Sequence, residues 1–343
     1  MSFDNINFIS EPKLKFKEYI AENVECIISS FQYDCYKDKN GEVILIISHN
    51  NSENPGSQYH ILLKSLNSNK VIKELEGHKE AFLTVRYFQN PYSKKDYLIS
   101  ASKNNAIVWD LNDFSKIFEK NNSYDSFFYS NLLIFDLNKI YAVISTIGEG
   151  STKVFDLKDQ SKCIDLSNTD NFSIFYLDYW YNIKSNQYII IQCGKKFILM
   201  TEFPNNKTFD SFNSIERCSY NLGALVFRSG DRDLLAISSS NGLIIIYDLE
   251  QKKIMLKIIF NKVDIGNFIK WNDNYLFILD SLNEKLIIFN IKNNEFKQEN
   301  EISLPDTKLN KFIKKVNHPI YGESIMSLDI SSKIRLFVNA EDK

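Results

Sequence analysis

A bulky residue recurs through the chain at a nearly constant step. Lys64, Trp109, Phe155, Met200, Tyr247, Phe289 and Phe337 stand 45, 46, 45, 47, 42 and 48 residues apart. Most of them close a β-rich run followed by Asp or Asn, as in Ile107-Val108-Trp109-Asp110-Leu111 and Ile245-Ile246-Tyr247-Asp248-Leu249. A period of roughly 20 to 50 residues marks a chain built from stacked supersecondary units, none of which can bury its apolar face alone. Seven members of one column set the architecture before any single residue is weighed.

Each unit repeats further strands in the same order. Two strands precede the column: residues 25–34 and 43–48 around the turn Asn40-Gly41, then 83–88 with 97–102, 132–135 with 141–146, 175–181 with 188–193, 224–228 with 234–239, 268–271 with 275–280, and 312–316 with 324–330. Asn-Gly tolerates the positive φ of a tight hairpin. A shorter fourth strand follows the column at 71–75, 117–119, 163–166, 208–212, 254–258 and 296–302. The seventh unit reaches Lys343 without one, whereas residues 14–20 form a strand-like run outside any unit. Pairing that run with the last unit closes a ring and removes an open sheet edge. The expectation is an all-β, seven-bladed β-propeller of four-stranded antiparallel blades, its N-terminal strand closing the last blade. It is read as one domain over 1–343, with a short extension at 1–13, the closing strand at 14–20 and seven blade units over 21–343. Only 6 Pro and 11 Gly are spread through the chain, without a linker-like cluster.

Residues 74–111 resemble a WD40 repeat. Gly77-His78 stands where that family has its Gly-His pair, and Trp109-Asp110 where it has its closing Trp-Asp. The resemblance implies a structural tetrad of hydrogen-bonded side chains, to which His78, Trp109 and either Ser100 or Ser102 correspond. The family's Asp, six residues before the Trp, is replaced by Lys103. Elsewhere the Gly-His pair is absent and Phe, Tyr, Met or Lys takes the place of Trp, so the chain is identified as a divergent member.

Charge and composition narrow the function. With 41 Lys+Arg against 43 Asp+Glu, the overall field offers no general attraction to nucleic acid. Five scattered cysteines, Cys26, Cys35, Cys163, Cys193 and Cys218, never fall in a C-x-x-C spacing and read as buried small hydrophobes in a reducing compartment. The four histidines, His49, His60, His78 and His318, are not paired at i, i+4, so spacing suggests no zinc site. Gly148-Glu149-Gly150-Ser151-Thr152-Lys153 lacks the phosphate-loop pattern and runs into a strand, which makes it a hairpin turn. Phe227-Arg228-Ser229-Gly230 resembles a phosphoinositide-binding Phe-Arg-Arg-Gly element but has Ser for the second arginine. No nucleophile elbow is present, and acids such as Asp231, Asp233, Asp273 and Asp280 read as turn or strand-end residues.

These readings lead to a cytoplasmic, non-catalytic scaffold or adaptor that binds other proteins or peptide segments as a subunit of a hetero-complex. No cofactor, metal, nucleic acid or membrane is expected. A propeller enzyme of hydrolase or lyase type, with its site at the central channel, is one alternative. A ubiquitin-ligase substrate receptor is another, although its W-D-x-R pattern fails at Asn112.

Overall fold

The computed structural model describes residues 16–23, 34–50, 59–80, 82–121, 127–147, 151–166, 174–194, 197–213, 221–239, 242–260, 265–280, 283, 285–292, 296–303, 312–318, 322–328 and 333–339. Within them lie 28 strands in seven four-stranded antiparallel sheets. Strand β1 (Phe16–Asn23) comes first. Blade one is β2 (Asp34–Lys37), β3 (Val43–Asn50), β4 (Tyr59–Ser65) and β5 (Val71–His78); blade two is β6 (Phe82–Gln89), β7 (Asp96–Ser102), β8 (Asn105–Asp110) and β9 (Ser115–Asn121). Blade three comprises β10 (Phe127–Asp136), β11 (Lys139–Ile147), β12 (Thr152–Asp156) and β13 (Cys163–Leu166), and blade four β14 (Ile174–Asn182), β15 (Gln187–Gly194), β16 (Phe197–Phe203) and β17 (Lys207–Asn213). Blade five holds β18 (Asn221–Ser229), β19 (Arg232–Ser239), β20 (Leu243–Asp248) and β21 (Lys253–Ile259), and blade six β22 (Ile265–Lys270), β23 (Tyr275–Asp280), β24 (Lys285–Asn290) and β25 (Lys297–Ser303). Blade seven is β26 (Phe312–His318), β27 (Gly322–Leu328) and β28 (Lys333–Asn339), completed by β1.

The first strands of successive blades, from β2 to β26, touch one another and form the inner ring. The last strand of each blade lies outside, as the largely exposed pattern of β5 and β9 shows. Middle strands such as β8, β20 and β23 are buried at every position. A sheet covered on both faces must be apolar on both, which turns the expected alternation into continuous runs such as Leu-Ile-Ile-Ile-Tyr. Alternate residues then feed different cores. Ile107 and Trp109 of β8 pack with Ile44, Ile61 and Leu63 of blade one, whereas Ala106 and Val108 pack with Leu133, Ala142 and Phe155 of blade three.

Several sequence expectations shift in detail. The described closing strand covers Phe16–Asn23 and pairs with β28 from Phe16↔Asn339 to Asn23↔Lys333; residues 14 and 15 lie outside the described residues. The first strand of unit one is described at Asp34–Lys37, and 25–33 lie outside those residues. Trp271, expected at the end of a strand, falls just after β22, where its amide bonds Tyr275 O across the turn. The column itself is displaced in unit four. A bulge between third and fourth strands occurs immediately before Lys64, Trp109, Tyr247 and Phe289, but in blade four it precedes Thr201, and Met200 faces the core shared with blade five. Thr201 is the structural member, hidden because a threonine does not look like its bulky counterparts. Gly41 has φ +83° in the turn read from Asn40-Gly41, a conformation that strains any residue with a Cβ. Cys35 and Cys193 are buried, Cys163 is exposed on an outer strand, and all three are free; Cys26 and Cys218 lie outside the described residues.

Candidate functional site

In blade two, the end of β5 delivers His78 beside β7 and β8. The Trp109 Nε1–H donates to Ser100 Oγ at 3.0 Å, and Ser100 Oγ lies 2.8 Å from His78 Nε2. Asn105, not residue 103, closes the group: its Oδ1 is 2.5 Å from His78 Nδ1 and also accepts from Ser102 Oγ at 2.7 Å. The Asn105 amide nitrogen donates to Gly77 O at 3.1 Å and Glu119 Oε1 at 2.9 Å. The oxygen therefore faces His78, which donates from Nδ1 and accepts at Nε2 as a neutral ring. Of the two serines left open by the sequence, Ser100 joins His78 to Trp109 and Ser102 braces Asn105. Every polar atom in this group serves another, and the arrangement orders the blade rather than presenting a reactive atom.

Burial pushes the His78 pKa from 6.5 down to about 4, against the opposite pull of Asn105 and Glu119. As pH falls through 6.5 the unfolded chain takes up this proton and the folded chain refuses it. His78's share of stability is whole above that pH and is lost toward pH 4. Urea unfolding between pH 7 and 4 is expected to show a loss of up to ~3 kcal/mol from this group, at about 1.4 kcal/mol per pKa unit. His78→Gln should be less stable at pH 7 and have a correspondingly flatter profile; an equal slope in the two proteins would refute the assignment.

A second polar group braces the inner ring. Asp34 in blade one accepts the Cys35 amide on Oδ1 at 2.6 Å and the Tyr87 amide of blade two on Oδ2 at 2.7 Å. Asp178 does the same between blades four and five, with the Tyr179 amide at 2.9 Å and the Val226 amide at 3.1 Å. Desolvation raises the pKa of Asp178, while the nearby Arg86 guanidinium and the two amides pull it back. Arg86 itself joins three blades. Its Nη1 donates to Asn131 O at 3.0 Å and Leu177 O at 2.7 Å, and the guanidinium lies 5.2 and 5.4 Å from the ring centroids of Phe88 and Tyr176.

The most accessible candidate surface lies at the turns between first and second strands of blades two, three and four. Tyr92, Leu137 and Ile183 occupy those three turns at 50, 71 and 69% exposure, with Tyr181 beside them at 39%. Tyr188 knits the patch together: its hydroxyl donates to Phe135 O and is hydrogen-bonded to Tyr92, and its ring lies 4.9 Å from that of Tyr181 and 6.0 Å from that of Tyr179. The equivalent turns of blades one, five and six expose Lys39 and Asn40, Gly230 and Asp231, and Asn272 and Asp273. Among the described turns of this kind, the apolar sector is thus confined to three adjacent blades. Sequence reasoning missed it because Leu137 and Ile183 resemble core residues until the ring places them at a rim.

Of the other sequence candidates, Thr152 and Lys153 belong to β12, and residues 148–150 lie outside the described residues. Arg228 Nε donates to Gly230 O within its own turn, at 3.4 Å. One group of side chains with metal-ligating chemistry, His60, Glu74 and Glu76, is brought together among the described residues.

No family model and no curated protein matches the chain. Among solved structures it is similar to BBS1N in complex with ARL6DN, in crystals soaked with mercury (TM-score 0.68) or with lead (TM-score 0.69). Each is 10% identical, and the alignment covers 96% of this chain and 98% of that chain. The likeness shows the fold: the chain is a β-propeller.

Proposed function

We propose that the chain is a divergent WD40-type propeller acting as a non-catalytic scaffold, and that it binds a protein partner through the apolar turns of blades two to four. The observation that carries this reading is the exposure of Tyr92, Leu137, Tyr181 and Ile183 on one contiguous rim. Large apolar side chains left exposed together on a surface mark an interaction site, and aromatic residues of this kind supply much of an interface's affinity. The bracing of the inner ring supports the same reading, because Asp34 and Asp178 already serve main-chain amides. The propeller of similar fold, BBS1N, is itself in complex with another protein, ARL6DN. His78, Ser100, Asn105 and Trp109 serve the scaffold by fixing blade two.

The test is an affinity purification of tagged chain against the double variant Leu137→Glu/Ile183→Glu, with Ile259→Glu on the outer strand of blade five as control. Both sites are solvent-exposed, so the unfolding midpoint should change little, within about 0.5 kcal/mol per site. Partner proteins recovered with the parent and the control are expected to fall at least about tenfold with the double variant, the loss of ~1.4 kcal/mol or more that two hot-spot residues supply. An unchanged set of partners would refute this surface.

A further inference from the structure

The outer edge of blade one brings three metal-ligating groups to one face. His60 on β4 is the register partner of Glu76 on β5, and Glu74 lies two residues back along β5, so both glutamates share the face opposite the buried Leu75. His49 on β3 occupies the next register position in the same cross-strand row. His60 Nδ1 lies 3.8 Å from Glu74 Oε2 and 3.9 Å from Glu76 Oε1, and one ligand atom from each residue falls within 4.8 Å of the others. Those distances are too long for hydrogen bonds. The nitrogen is nevertheless shut off from solvent and has no hydrogen-bond partner. A buried polar atom left in that state costs ~1–3 kcal/mol unless something fills the gap.

We propose that His60, Glu74 and Glu76 form a binding site for a zinc-class divalent cation. Bonds of about 2.0–2.2 Å in tetrahedral geometry hold ligand atoms roughly 3.3–3.6 Å apart. The two His60 spacings close around such an ion by a few tenths of an ångström, and the glutamate oxygens, which lie within 4.8 Å of each other, by at most about 1.5 Å. The glutamates, with side chains 54 and 65% exposed, are free to make them. A neutral imidazole with two carboxylates balances a double positive charge, and the imidazole favours zinc over magnesium or calcium, which prefer all-oxygen sets. Three protein ligands leave a fourth position facing solvent for water or a partner's side chain. The ion pins β5, the exposed edge of the blade, to β4.

The full chain, stripped with EDTA and dialysed, is to be titrated with Zn²⁺ in competition with a chromophoric chelator, and with Co²⁺ followed by its visible d–d absorption. One equivalent is expected to bind. His60→Ala and Glu74→Gln/Glu76→Gln should each weaken it by at least about tenfold, the lower end of what even outer-shell changes do to metal affinity. The double glutamine variant alters only exposed side chains and keeps the test open if His60→Ala folds poorly by circular dichroism. Cys163→Ser, removing the exposed thiol, should bind as the parent does. Absence of stoichiometric binding, parental affinity in the double glutamine variant, or a loss produced by Cys163→Ser would each overturn the site.

Discussion

Removal of residues 1–23 is expected to abolish the soluble monomer. Strand β1 is the outermost strand of blade seven, and its register with β28 runs through Phe16↔Asn339, Glu18↔Phe337 and Glu22↔Ile334, interrupted by a bulge between Tyr19 and Ala21. Without it, the amides and carbonyls of β28 that point outward have no ladder partner, and an open strand edge pairs with other chains. At about 1 kcal/mol per lost backbone hydrogen bond, the direct loss is roughly 4–6 kcal/mol, comparable to the whole stability of many proteins. Size-exclusion chromatography of the truncated chain should show aggregates in place of a monomer. A synthetic peptide of residues 14–23, added during refolding, should restore monomer by supplying the strand in trans. A truncated chain that elutes as a monomer with unchanged urea midpoint would show that β1 does not hold the ring.

The second large effect belongs to Trp109. Its side chain is 3% exposed within the core shared by blades one and two, and its Nε1–H is used by Ser100. Trp109→Ala removes a large buried ring and should destabilise the chain by about 3–5 kcal/mol. Trp109→Phe keeps most of the packing and loses the donor. Ser100 Oγ retains His78, so that loss should be only ~1–2 kcal/mol. Phe155 and Phe289 fill the same column position in other blades without such a donor, which shows that the space accepts a phenyl ring. Urea unfolding of the two variants separates the contributions: similar losses would mean that the hydrogen bond, not the packed volume, dominates.

The strand order was legible because each blade repeats the same apolar runs, and the fourth strand could be placed by its fixed distance from the column. The turns were less so. Asn69 and Asn206 adopt positive φ in the turns after third strands, but so do Phe114 and Lys252, where residue type gives no hint. In the hydrogen-bonded group of blade two, His78, Ser100 and Trp109 are residues that the sequence singles out, whereas Asn105 gives no signal, since Asn is abundant in the chain and the expected position falls on Lys103. Arg86 and Asp178 gave no sequence signal because the contacts by which they tie blades together are to main-chain atoms far away in sequence. The His60, Glu74 and Glu76 group escaped a search by linear spacing, since it is bulges and strand register that bring residues so far apart in sequence to one face.

The carboxylate clips at Asp34 and Asp178 bear on how freely the interior can vary. Dispersion and water exclusion reward contact but care little about angle, whereas an acid gripping a neighbour's amide fixes height along the axis. With alignment set by directional grips where blade one meets two and blade four meets five, oily side chains at those two joins can be exchanged for others of like volume without letting one fin slide past its neighbour.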